Sequence, residues 1–208
     1  MREHMGRAAK PTLITLALSA AAVLGYVAYR FTLDRAPAVD SPPVVETPAR
    51  DLPDELPDFS LANLDGEQQS IRSWPGRPLI INFWATWCGP CRKEIPMLLE
   101  FQDANPGLTV VGIAVNTLDE ARPFVEEMGI DYPILIGRTE AVTAAASFGV
   151  EFYALPFTIF TDGAGRTLGV RTGELHQEQL EHFAAVVADL EAGRLSVDAA
   201  RARIAGVM

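Results

Sequence analysis

Residues 79–96 read LIINFWATWCGPCRKEIP, and no other stretch constrains the fold as tightly. Leu79-Ile80-Ile81-Asn82-Phe83-Trp84 is an apolar run of the kind that suits a strand buried on both faces. Trp87-Cys88-Gly89-Pro90-Cys91 follows, and Arg92-Lys93-Glu94-Ile95 then opens a helical pattern. A C-x-x-C at a strand-to-helix junction puts its first sulfur at the helix N-terminus. Unpaired backbone N–H groups and the helix dipole stabilise a thiolate there. The second sulfur lies about one turn in, close enough to close a small disulfide ring. Pro90 falls in the first turn, where its missing N–H costs nothing. The pattern is that of a dithiol redox centre.

Other uses of a C-x-x-C fit less well. It is half of a zinc site, but a structural zinc site usually takes four ligands. The chain has two cysteines, and His4, His176 and His182 are not spaced as a second ligand pair. A purely structural disulfide over so short a loop would constrain the unfolded chain little. Soft thiolates at Cys88 and Cys91 would also suit copper in a metallochaperone, a reading that calls for a third ligand near the pair. In the redox reading Cys88 is the exposed nucleophile with a depressed pKa, and Cys91 resolves the mixed disulfide. That chemistry needs no metal and no organic cofactor.

The flanking residues make the motif far more specific. FWATWCGPC resembles the thioredoxin superfamily. With Asn82 before it and Arg92-Lys93-Glu94-x-Pro96 after it, the stretch resembles the membrane-anchored TlpA/ResA branch of thiol–disulfide oxidoreductases. The resemblance implies a thioredoxin-like α/β fold: a mixed central sheet with helices on both faces, an N-terminal β-hairpin and a central strand–helix insertion. It also implies a cis proline beside the disulfide, at Pro156 in Tyr153-Ala154-Leu155-Pro156-Phe157-Thr158. Leu155 stands where the family commonly has a small or β-branched residue, at a position that contacts bound substrate. Trp87, Gly89 and Pro90 complete the implied substrate-binding set, and Trp84 and Trp87 read as shape and cover.

Thioredoxin itself has a buried aspartate where this chain has Asn82. The resemblance offers Glu94 as the replacement that takes the proton from Cys91. Glu94 lies three residues after Cys91 on the same helical face, and partial burial would raise its pKa into an acid/base range. The competing reading is a surface glutamate favoured by a helix N-terminus. Gly89-Pro90 matches thioredoxin, a reductant, and points to a reductase. The peroxiredoxin pattern Pro-x-x-x-Thr-x-x-Cys is absent, because Thr86 is only two residues before Cys88.

Residues 11–29 carry no charged side chain, which is close to the roughly 20 residues that cross a bilayer as a helix. Arg2, Arg7 and Lys10 precede the run, so residues 1–10 are expected in the cytoplasm. Tyr26 and Tyr29 fall where an interfacial aromatic belt would sit. A cleaved signal peptide is the rival reading, given Ser19-Ala20-Ala21-Ala22. The run continues through Val23, Leu24 and Val27, longer than a usual signal core, which favours an uncleaved anchor. Residues 30–55 are rich in Pro, Val, Asp and Glu and read as a semi-extended tether. The redox domain is expected over residues 56–208, facing the periplasm.

The net charge of −10 argues against a nucleic-acid partner. Within the folded part, Asp65-Gly66 and Asp162-Gly163-Ala164-Gly165 mark two hairpins. Residues 108–115 read as a second central strand, residues 132–136 as a short strand, and 119–128, 139–148 and 177–191 as helices. A last short helix is expected from Ser196, its N-cap. The resemblance implies disulfide-bearing clients, either apocytochrome c before haem attachment or copper-site proteins of cytochrome oxidase assembly. It further implies re-reduction by a membrane electron donor of the CcdA/DsbD type.

Overall fold

The computed structural model describes residues 24–26, 52–150 and 154–208. The chain divides into two compact units, Met1–Pro48 and Ala49–Met208. Of the first, only residues 24–26 are described; they are helical and exposed. The expected anchor over 11–29 otherwise lies outside the described residues. Among the described residues no helix is long and apolar enough to cross a membrane.

The second unit opens with a hairpin, β1 (Ser60–Ala62) and β2 (Gln68–Ser70). Its turn is held by Asn63 Oδ1, which accepts the backbone N–H of Asp65 at 2.9 Å and of Glu67 at 3.0 Å. Gly66 takes the positive φ of 83° that the turn requires. The apolar run forms β3 (Leu79–Trp84), with all six residues buried, and the C-x-x-C leads into α1 (Gly89–Ala104). Helix α1 continues past Pro96 to Ala104. Next come β4 (Thr109–Ala114) and α2 (Leu118–Met128). A Thr117/Glu120 capping box starts α2, and Gly129 ends it in the left-handed conformation.

The inserted pair is β5 (Ile134–Ile136) with α3 (Thr139–Ser147). A hairpin of β6 (Phe157–Thr161) and β7 (Thr167–Thr172) follows, then α4 (Gln177–Glu191) and α5 (Val197–Ala205). Ser196 caps α5, its hydroxyl accepting the Ala199 N–H at 3.2 Å.

These strands form one mixed sheet in the order β2-β1-β5-β4-β3-β6-β7. Strands β3, β4 and β5 run parallel, while β6 lies antiparallel to β3 on its other side. The two-residue period of β3 divides the core. Ile80 and Trp84 face a cluster built with α1, α2, α4 and α5, while Leu79, Ile81 and Phe83 face one built with α3 and the first hairpin. Phe83 stacks on its register partner Phe157 with ring centroids 4.3 Å apart. A sheet covered on both faces explains why its central strands read as nearly continuous apolar runs. The mixed sheet with flanking helices is the expected thioredoxin-like α/β architecture.

Candidate active site

The end of β3 delivers the two cysteines. Cys88 is the N-cap of α1, and its Sγ accepts the Cys91 N–H at 3.3 Å. Cys88 and Cys91 are joined as a disulfide. Gly89 and Pro90 are exposed above it, and Thr86 is tied back by its N–H to Asn116 Oδ1 at 2.9 Å. In this oxidised form Cys88 is 5% exposed, against 0% for Cys91. Trp87 is 68% exposed, whereas Trp84 is wholly buried and packs on Phe124 with centroids 5.3 Å apart.

The Leu155–Pro156 peptide bond is cis, as the resemblance implies. Pro156 is buried at the start of β6, which pairs directly with β3; Leu155 is half-buried and packs against the core cluster that contains both cysteines. Ala154 beside it is exposed.

Glu94 is not a surface residue. It is 2% exposed, held under α1 against the sheet. Asn82 Nδ2 donates to its Oε1 at 2.7 Å, and the Leu175 backbone N–H donates to its Oε2 at 2.9 Å. Burial pushes its pKa from 4.5 up to about 7, with the nearby Glu174 adding to the rise. The two hydrogen bonds oppose it by favouring the carboxylate. A carboxyl with that pKa, three residues from a cysteine on one helix, can take or return a proton near neutral pH.

Asn82, recognised in the sequence only as the replacement for an aspartate, is the centre of this polar layer. Its Nδ2 also reaches Thr158 Oγ1 at 3.1 Å, its register partner on β6. Thr158 and Leu175 carried no sequence signal for the site, since one reads as a strand residue and the other contributes only its backbone. Tyr132, ahead of β5, is buried, and its pKa is raised by that burial and by the charges of Glu94 and Asp131. His176, the N-cap of α4, directly follows Leu175 and is thus nearer the Glu94 layer than its place in the sequence suggests. Among the described residues no group of three or more His, Cys, Asp or Glu side chains is arranged to hold a metal ion.

The AhpC/TSA family model matches residues 52–167. The thiol-disulfide oxidoreductase ResA of Geobacillus thermodenitrificans is 32% identical over 175 residues, covering 82% of this chain and 90% of that protein. A thiol:disulfide interchange protein of the thioredoxin family from Chlorobium tepidum superposes with a TM-score of 0.58 at 32% identity, covering 67% of this chain and 99% of that one. A secreted thiol-disulfide isomerase from Corynebacterium glutamicum gives a TM-score of 0.58 at 31% identity, over 64% of this chain and 85% of the other. The chain belongs to the AhpC/TSA family and, within its thioredoxin-like fold, to the ResA-like thiol–disulfide oxidoreductases.

Proposed function

We propose that the protein is an extracytoplasmic reductase of client-protein disulfides, held to the membrane by residues 11–29 and spaced from it by residues 30–55. The observation that carries the chemistry is the Cys88–Cys91 disulfide at the N-cap of α1 with Glu94 buried one turn along the same helix. The Cys88 thiolate of the reduced protein attacks one sulfur of the client disulfide. A Cys88–client mixed disulfide forms, and the other client sulfur leaves as a thiolate. Glu94 takes the proton of Cys91, and the resulting thiolate attacks Cys88 Sγ. The second client sulfur is released and the Cys88–Cys91 bond closes, so two electrons pass from protein to client. Both client thiolates are protonated from solvent or by Glu94.

Trp87, Gly89, Pro90 and Leu155 form the client-contacting rim in this reading, with Pro156 placing the chain that precedes β6. The reducing direction rests on Gly89-Pro90, since the two residues between the cysteines tune the potential. The extracytoplasmic reading draws on the apolar leader and on the likeness to the secreted thiol-disulfide isomerase of Corynebacterium glutamicum. Clients are apocytochrome c or copper-site proteins of oxidase assembly, and re-reduction comes from a membrane donor of the CcdA/DsbD type.

Replacing Cys91 with Ala in cells tests this, because the mixed disulfide can then no longer be resolved from within. Adducts with apocytochromes would assign cytochrome c maturation, and adducts with copper-site proteins would assign oxidase assembly. No adduct, together with copper in the purified wild-type protein, would sink the reductase reading in favour of a metal carrier.

A further inference from the structure

Asn82 sits in the middle of β3 and is completely buried. Its register neighbours are Gly112 on β4, which has no side chain, and Thr158 on β6. One end of its amide is fully used: Nδ2 donates to Glu94 Oε1 at 2.7 Å and to Thr158 Oγ1 at 3.1 Å. The other end is not. Asn82 Oδ1 is buried and has no hydrogen-bond partner among the described residues. An unpartnered buried acceptor is costly, so its persistence beside an ionisable group calls for a reason.

The two protonation states of Glu94 supply one. As a carboxylate it needs donors, and it has two, Asn82 Nδ2 and the Leu175 N–H. As an acid it must donate its own proton, and neither of those groups can accept it. Turning the Asn82 amide end over end exchanges Nδ2 for Oδ1 with almost no change in shape. Oδ1 then lies where it accepts both from the Glu94 acid proton and from the Thr158 hydroxyl, which serves equally as donor or acceptor. We propose that Asn82 is the positioning residue for Glu94 and that its amide turns over with the carboxyl proton. Its N–H faces the carboxylate, and its Oδ1 faces the acid.

This rests on Glu94 being the group that moves the proton of Cys91. Besides Cys91, whose proton it takes in the reduced protein, few titratable groups among the described residues surround Glu94. Glu174, from the turn before α4, and Tyr132, ahead of β5, interact with it electrostatically. Arg92 and Lys93 on its own helix are exposed, as is His176 at the start of α4. Strands β3 and β6 present no ionisable side chain. In either orientation only the end of the amide turned away from Glu94 stays unpartnered, Oδ1 beside the carboxylate and Nδ2 beside the acid, so the end that meets the carboxyl is matched in both states.

The test uses the full-length reduced protein in detergent with glutathione disulfide as the probe. Release of the second glutathione reports attack by Cys91. In the wild type its rate should rise with pH through about 7. Glu94→Gln should remove that rise; if the rise persists, the Glu94 reading itself fails. Asn82→Leu should keep the rise but move its midpoint up, by less than about one pH unit, because both states lose their partner and the charge-assisted bond to the carboxylate is the stronger of the two. Thr158→Val should move it less, in the same direction. In parallel, the side-chain amide resonance of Asn82 in isotope-labelled protein should titrate with the wild-type midpoint and become indifferent to pH in Glu94→Gln. An unmoved midpoint in Asn82→Leu, or an Asn82 resonance indifferent to pH in the wild type, overturns the proposal with the role of Glu94 intact. Should Asn82→Leu fail to fold, the resonance decides.

Discussion

Glu94 Oε2 accepts the backbone N–H of Leu175 at 2.9 Å, tying the first turns of α1 to the segment before α4 across 81 residues. A carboxyl group that is 2% exposed is thereby given a donor that no side-chain substitution can remove. Burial still dominates, and the group titrates near neutral rather than near 4.5.

The first prediction concerns stability against pH. The unfolded glutamate ionises near 4.5 and the folded one near about 7, so between those values the folded protein binds more protons. Stability from this group is therefore fullest below about 4.5, falls as pH rises, and reaches its minimum above about 7, by roughly 3 kcal/mol. Glu94→Gln keeps an acceptor for Leu175 and removes the charge. It should be more stable than the wild type above pH 7 and lose that advantage below about 4.5. Urea unfolding of both proteins on either side of this range checks it; a difference that does not change with pH would contradict the burial account.

Trp87 offers a contrast. At 68% exposure it contributes little to the core, so Trp87→Ala should change stability by less than about 0.5 kcal/mol. Reduction of a protein client should slow several-fold, while reduction of glutathione disulfide should hardly change. Parallel rate measurements on the two substrates separate a docking role from a chemical one.

Gly112 is where the sheet tolerates no side chain. A Cβ there would stand 2.7 Å from Ile134 Cδ1, 2.8 Å from Trp84 Nε1 and 3.1 Å from Tyr132 Cε2. Gly112→Ala should cost about 1–3 kcal/mol by overpacking, visible as a lowered Tm. Gly107→Ala, where a Cβ would meet nothing within 4 Å, serves as the control and should leave the Tm close to the wild type.

Helix α5 closes the cluster that contains the disulfide. Ile204 is fully buried there, and its Cγ2 would lie 2.6 Å from a Cβ placed on Gly169 of β7. Ile204→Ala should destabilise by about 2–4 kcal/mol through the cavity it leaves. Chemical denaturation reads the loss directly, and an effect under about 1 kcal/mol would mean that α5 contributes little to this core.

Much of the molecule was legible from local chemistry. The apolar run of β3, Pro90 in the first turn of α1, Gly129 after α2, Ser196 before α5 and the Asp162–Gly165 turn between β6 and β7 all act within a few residues of their own position. Short-range sterics, capping and strand periodicity decide such features, so the sequence by itself determined the elements and the redox motif, while the thioredoxin-like class came from the resemblance of the FWATWCGPC stretch. What it could not determine is the environment of each side chain. Glu94 has a charge and a helix position suited equally to a surface, and only packing between α1, the sheet and the Leu175 segment desolvates it. The pairing of Asn82 with Thr158 follows from register between strands 76 residues apart. The burial of the Cys88–Cys91 disulfide and the exposure of Trp87 likewise follow from tertiary contacts. Desolvation and long-range hydrogen bonding depend on which distant segments meet, and that is settled only when the whole sheet has assembled.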